Sequence, residues 1–274
     1  MLGTCLENVR KKSPLVHNIT NYVTVNDVAN AILAAGGSPI MADEPSDAEE
    51  ITKICNALNI NIGTLNSRTI DAMHRAGKMS QKFGHTNLLD PVGAGASSLR
   101  TQTALNLMKE IRFDVIRGNA SEIKTLVKGS GTTHGVDADK ADAVSDDNLD
   151  YMTWFVKDFA RSTGAVIALT GAIDLVADSE KCYVIRNGRA EMGRITGTGC
   201  QLSGIMAAFA AANPDNVLEA CAASVCMMGL AGEIGYTHLQ PYEGNSSYRN
   251  RIIDAIYNMT ADTLNEGARY EVRQ

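Results

Sequence analysis

The sequence lacks an excess of basic charge: 25 Lys and Arg stand against 31 Asp and Glu, leaving a formal net charge of -6 and a pI near 5.4. Such a chain offers no positive field to draw a nucleic-acid backbone or an anionic bilayer, so neither is expected as a partner. It also lacks an N-terminal apolar run of signal-peptide length, and no stretch approaches the roughly 18 uninterrupted apolar residues of a membrane span. A soluble, cytoplasmic protein with no membrane partner is the expectation. Cys5, Cys55, Cys182, Cys200, Cys221 and Cys226 contain no CxxC pair and no Cys/His metal spacing, which leaves most of them reduced and simply packed. No GxxxxGK[ST] sequence is present and the protein-kinase signatures are missing, so any nucleotide site must be built on another scaffold.

What is present is a core-forming composition, 45% hydrophobic and 20% charged over 274 residues, sufficient for one α/β domain spanning 1–274. Short apolar or β-branched runs alternate with helical patterns. Strands are expected at Leu15 to Ile19, Pro39 to Ala42, Ala57 to Ile62, Asn87 to Pro91, Asp114 to Arg117 and Ala165 to Thr170. Helices are expected at Val25 to Leu33, stopped by Gly36-Gly37, at Asp47 to Cys55 and at Ser67 to Phe83. Leu175 to Asp178 and Lys181 to Arg186 read as an edge hairpin. The Ala-, Met- and Gly-rich stretches Cys200 to Ala212 and Pro214 to Gly232 read as closely packed buried helices, and a last helix is expected from Ser247 to Asn265.

Thr196-Gly197-Thr198-Gly199-Cys200 stands directly before an apolar helix. Two glycines permit a tight turn, and the unpaired N–H groups of the helix start, aided by its dipole, can surround an anion. A cysteine placed there is expected to have a lowered pKa and to serve as base or nucleophile. A Gly-rich turn with a buried Cys is the alternative reading. Asp90, in Asp90-Pro91-Val92-Gly93-Ala94-Gly95, ends a strand where a carboxylate can hold hydrated magnesium near phosphates, or simply cap a turn. Arg117-Gly118-Asn119-Ala120-Ser121-Glu122 joins a guanidinium for phosphate oxygens to an amide and a carboxylate, and Asn119 with Glu122 also reads as a helix capping box. The glycine-rich Gly129 to Gly135 follows a helix, not a strand, and reads as a flexible connector. His17 to Val23 mixes polar and apolar groups suited to a small heterocycle, with Met41 and the Asn61 to Leu65 turn as further lining.

The segments PLVHNITNYVTVNDVANAILAAGGSPIMADEP, LNINIGTLN, LLDPVGAGAS, IRGNASEI, LTGAIDLV and ITGTGCQLSG occur in this order. Together, over about Pro14 to Gly232, they resemble the hydroxyethylthiazole kinase family of the ribokinase-like superfamily. The resemblance implies a three-layer α/β/α fold with a mostly parallel central sheet and no lid domain. It implies ATP-dependent phosphorylation of the primary hydroxyl of 4-methyl-5-(2-hydroxyethyl)thiazole in thiamine salvage, with Mg2+, and a homotrimer whose active sites lie between subunits. By the same resemblance Asn21, Val23, Met41, Gly63 and Gly197 contact the thiazole, and Arg117, Asn119 and Thr170 contact ATP. Asp90 and Glu122 are the metal-linked carboxylates, and Gly197, Thr198, Gly199 and Cys200 form the catalytic anion hole. Most ribokinase-like enzymes carry an aspartate base where Cys200 stands. The acidic Asp43-Glu44-Pro45 stretch departs from the family, whose members often carry His and Ala there. A pyrimidine-alcohol kinase, a cysteine-nucleophile transferase and a non-catalytic nucleotide-binding module are the rival readings.

Overall fold

The computed structural model describes residues 2–130 and 143–274. Its strands are β1 (Leu15–Ile19), β2 (Ser38–Met41), β3 (Ala57–Asn61), β4 (Thr86–Asp90), β5 (Val115–Asn119), β6 (Val166–Thr170), β7 (Asp174–Ala177), β8 (Cys182–Ile185) and β9 (Tyr270–Arg273). All nine lie in one sheet, in the order β2-β1-β3-β4-β5-β6-β7-β8-β9. The pairs from β2 through β6 are parallel and those from β6 to β9 antiparallel. Among the described residues there is therefore no separate lid sheet.

Helices cover both faces, as a parallel sheet buried on each side requires. On one face lie α1 (Leu2–Lys12), α2 (Val25–Ala35), α8 (Thr198–Ala212), α9 (Val217–Thr237), α10 (Asn245–Asn258) and α11 (Ala261–Gly267). On the other lie α3 (Pro45–Ile54), α4 (Ser67–Phe83), α5 (Ser98–Glu110), α6 (Ala120–Ser130) and α7 (Leu149–Thr163). Strand alternation feeds both cores: in β3, Ala57 joins the first and Leu58 and Ile60 the second.

Local chemistry sets the boundaries. Asn66 Oδ1 accepts the N–H groups of Arg68 and Thr69, both at 3.0 Å, while Thr69 Oγ1 accepts the Asn66 N–H, a reciprocal cap that starts α4. The helix stops where Gly84 takes φ 69°, as the sequence anticipates. Helix α8 is buried nearly all round, and a Cβ on Gly204 would lie 2.8 Å from Val28 Cγ1, so glycine lets α2 and α8 approach.

The structure corrects several expectations. The β7–β8 hairpin is not the sheet edge, because β9 pairs with β8 and takes that place. The expected helix from Ser247 to Asn265 is broken after Asn258, and Thr260 Oγ1 accepts the Thr263 N–H to start α11 anew. Helix α1 was not anticipated, although Leu2, Cys5, Leu6 and Val9 recur at helical spacing and are buried. Helix α9 is long and apolar enough to cross a membrane by length and composition, but 78% of its apolar window is buried within the protein. The connector expected at Gly129 to Gly135 lies, beyond Ser130, outside the described residues.

Candidate active site

The carboxyl ends of the parallel strands converge on one rim of the sheet, where open α/β folds bind ligands. Asn61 ends β3, Asp90 ends β4, Asn119 ends β5 and Thr170 ends β6. The start of α8 faces this rim. Its preceding residue, Gly197, has φ 84°, and no side chain caps the helix, so its first N–H groups are left for a ligand. A Cβ at Gly197 would meet Thr24 Cγ2 within 2.2 Å, which makes glycine necessary for both conformation and space.

Arg117 packs against this helix start. Its guanidinium lies against Gly199, close enough that a Cβ there would be 2.5 Å from Nη1 and 2.6 Å from Nη2. Nη2 donates to Thr170 Oγ1 at 2.6 Å, and Nη1 stands 3.6 Å from Asp90 Oδ2. Arg117, Asn119, Thr170, Thr198 and Gly199 all line a cavity of about 540 Å³, closed on its apolar side by Leu202, Val225 and Met228. The residues expected to hold ATP are thus brought together, with the helix start at one end of their cavity. Asn119 also serves as a cap: its Oδ1 accepts the Glu122 N–H at 2.9 Å while Glu122 Oε2 accepts the Asn119 N–H at 2.8 Å.

Beneath the anion site lies Asp90, with no solvent exposure. Its Oδ2 accepts from Ser203 Oγ at 2.7 Å and from Asn61 Nδ2 at 2.9 Å. Burial pushes its pKa up to about 6 against the opposing pull of Arg117 and Ser203. Its Oδ1 has no partner. Glu122 is anchored by two backbone N–H groups, its Oε1 accepting that of Gly93 at 2.9 Å. Among the described residues no three His, Cys, Asp or Glu side chains cluster as an all-protein metal cage. Two carboxylates, one with a free buried oxygen, fit Mg2+, which keeps water and phosphate oxygens as most of its ligands.

Cys200 Sγ receives Asn21 Nδ2 at 3.2 Å and Asn61 Nδ2 at 3.3 Å. These donors favour the thiolate, but burial, followed by the charge of Asp90, outweighs them and raises the thiol pKa. The lowered pKa expected from the helix start is therefore corrected: burial makes Cys200 hold its proton more tightly than a free thiol.

The residues expected around the thiazole divide into two groups. Asn21, Gly63 and Gly197 gather beside Cys200, with Asn21 Cβ 3.0 Å from where a Gly63 Cβ would be. Met41 lines a separate recess of about 180 Å³ with Tyr22, Asp43 and Thr64. Val23 is exposed at 58% on the outer surface and does not line that recess. Tyr22 beside it is exposed at 78%.

A profile of the hydroxyethylthiazole kinase family matches residues 6–262. The chain belongs to this family. The hydroxyethylthiazole kinase of Clostridium acetobutylicum is 59% identical over 99% of both chains, and that of Clostridium tetani 42% identical over 95% of this chain and 94% of its own. The solved structure of a hydroxyethylthiazole kinase protein from Pyrococcus horikoshii OT3 superposes with a TM-score of 0.89 at 32% identity, covering 100% of this chain and 99% of that one. A ribokinase-like superfamily protein from Enterococcus faecalis, 14% identical with a TM-score of 0.64 over 96% of this chain and 89% of its own, shares the fold.

Within this kinase three residues lie inside the quoted motifs but receive from the sequence none of the roles they have in the structure. Asn61 and Ser203 hold Asp90, and Asp174 lines the large cavity, accepting the Gly171 N–H at 2.8 Å with its pKa pushed up to about 7 by burial. The available signal was a polar side chain in an otherwise apolar strand or helix.

Proposed function

We propose that the protein transfers the γ-phosphoryl group of ATP to the primary hydroxyl of 4-methyl-5-(2-hydroxyethyl)thiazole, giving the thiazole phosphate and ADP in thiamine salvage. The observation that carries this reading is the Arg117 guanidinium packed against Gly199 at the open start of α8. It stands between the nucleotide-sized cavity and the Asn21, Asn61 and Cys200 cluster.

ATP occupies the 540 Å³ cavity, held by Arg117, Asn119 and Thr170, with its γ-phosphate at the N–H groups of Thr198, Gly199 and Cys200. Asp90 and Glu122 would hold Mg2+, which would offset the negative charge of the phosphates. The acceptor lies among Asn21, Gly63, Gly197 and Met41. Pre-aimed N–H groups and the guanidinium stabilise charge on the moving phosphoryl group without reorganisation. A loose transition state asks little of a base, so a neutral Cys200 orients the hydroxyl rather than removing its proton at the outset.

In a homotrimer a neighbouring subunit would cover the exposed Tyr22 and Val23, and Val23, which lies outside the recess of its own chain, would meet the thiazole only at that subunit boundary. The chain acts as a single kinase domain in the cytoplasm. Release of ADP by the purified protein with Mg2+ and ATP, with and without the thiazole, tests the reading. Thiazole-dependent release is expected. Release only with hydroxymethylpyrimidine would move the substrate, and none with either would overturn the reading.

A further inference from the structure

Asn61 makes four hydrogen bonds through one buried amide, and each goes to a different part of the site. Nδ2 donates to Asp90 Oδ2 at 2.9 Å and to Cys200 Sγ at 3.3 Å. Oδ1 accepts the Gly63 N–H at 3.0 Å and Asn21 Nδ2 at 3.1 Å. The residue is 1% exposed and sits at the last position of β3, where the strand's own register with β4 pairs it with Asp90. An amide has two donors on one end and two lone pairs on the other, so this side chain is fully used. No carboxylate or hydroxyl could repeat the pattern.

We propose that Asn61 is a positioning residue that fixes the acceptor side of the site to the metal side, an inference that rests on the kinase reading above. Its amide sets the distance between Asp90 and Cys200 and at the same time holds the Gly63 turn and Asn21. The turn has a further tie, since the Gly63 carbonyl accepts from Arg100 Nη2 at 2.7 Å. Asn21 in turn has its Oδ1 held by the Thr24 N–H and hydroxyl at 3.1 and 3.0 Å. Asn21 and the Gly63 turn reach the Asp90 carboxylate by way of this side chain, beside a backbone bond from the Ile62 N–H to the Asp90 carbonyl at 3.2 Å. Groups that hold metal-linked carboxylates in place commonly change activity or metal affinity by about 10- to 100-fold when removed.

Asn61→Ala tests this, with wild-type protein measured alongside. The expected result is a kcat reduced by about 10- to 100-fold, a thiazole KM raised by about tenfold, and an ATP KM within about twofold of wild type. Calorimetric binding of the thiazole without ATP or Mg2+ should weaken in parallel with KM, a readout independent of turnover. A residue that merely stabilised the fold would lower the melting temperature and the active fraction while leaving both KM values and the thiazole affinity unchanged, and that result would overturn the proposal. Ser203→Ala removes the other donor to Asp90 Oδ2; it should lower kcat and leave thiazole affinity unchanged, since Ser203 has no bond to the acceptor turn. Should the alanine variant not fold, Asn61→Ser, which keeps one hydroxyl, is read by the same two affinities. Wild-type protein without thiazole-dependent ADP release would refute the kinase reading itself, whereas active wild type with an unchanged thiazole affinity in a folded variant would refute only the role of Asn61.

Discussion

Gly199→Ala separates stability from catalysis in one methyl group. Gly199 is the second residue of α8, and Ala gains up to about 1 kcal/mol over Gly within a helix. The new Cβ, however, points at the Arg117 guanidinium, 2.5 Å from Nη1 and 2.9 Å from Cζ. The crowded Nη2 is the atom that donates to Thr170 Oγ1 at 2.6 Å, so a guanidinium that yields to the methyl strains that bond or shifts away from the helix start. Loss of one charged hydrogen bond to the phosphate is worth about 1.5–3 kcal/mol, or roughly a 10- to 150-fold drop in kcat/KM for ATP. The melting temperature should move by no more than about 4 °C, because the gain in helix propensity offsets strain at a side-chain terminus. ADP release against ATP concentration, together with a thermal melt, reads both quantities. Arg117→Ala should add little to Gly199→Ala, since both act on the same contact. A folded variant with kcat/KM for ATP within about twofold of wild type would show that Arg117 does not serve the phosphate, and the reasoning would fail.

Cys200→Ala should leave the protein folded and slow turnover by less than about 100-fold, the lower end of what a general base contributes, because burial keeps the thiol neutral; a larger loss would restore Cys200 as a base. Gly63→Ala places a methyl 3.0 Å from both Asn21 Cβ and Asn61 Oδ1, and should raise the thiazole KM by about tenfold with the ATP KM little changed; equal effects on both substrates would argue for general disruption. Asp174 holds its proton more tightly in the folded state, so its contribution to stability is present below the ordinary carboxylate value of 3.8 and lost as pH rises through about 7. Asp174→Asn removes that loss, and its melting temperature relative to wild type should climb between about pH 4 and pH 7 and then level off; a constant difference would contradict the shift. Chelation of Mg2+ should abolish ADP release and its return restore it, while turnover persisting in excess chelator would remove the metal role of Asp90 and Glu122.

The parallel half of the sheet is legible in the sequence because each strand is a short apolar run closed by a turn, and helix α4 because Asn66 and Gly84 mark both ends. Strand β9 is hidden: Tyr270 to Val272 are exposed, so four residues at the sheet margin carry no burial pattern to distinguish them from a tail. The break between α10 and α11 was similarly concealed, since a threonine inside a helical pattern reads equally well as an interior residue or a cap. At the site, Asp90, Arg117, Glu122 and the glycines of α8 stand out because turns and helix starts have sequence signatures. The Asn61 amide has none, for its importance lies in four partners drawn from one strand, two loops and a helix. The Cys200 reading shows the opposite failure. A helix start does favour a thiolate, but the sequence does not reveal that the sulfur is enclosed or that Asp90 lies nearby, and those two effects decide its charge.

Helix α9 supports one wall of the nucleotide cavity through Val225, Met228 and Gly229, and its neighbours α8 and α10 hide most of its surface. Before those contacts form, the segment Val217–Thr237 exposes an apolar surface that is mostly buried in the folded protein. Early docking of α9 onto α8 therefore does more than finish a cavity wall, since it removes the apolar surface on which a partly folded chain would aggregate.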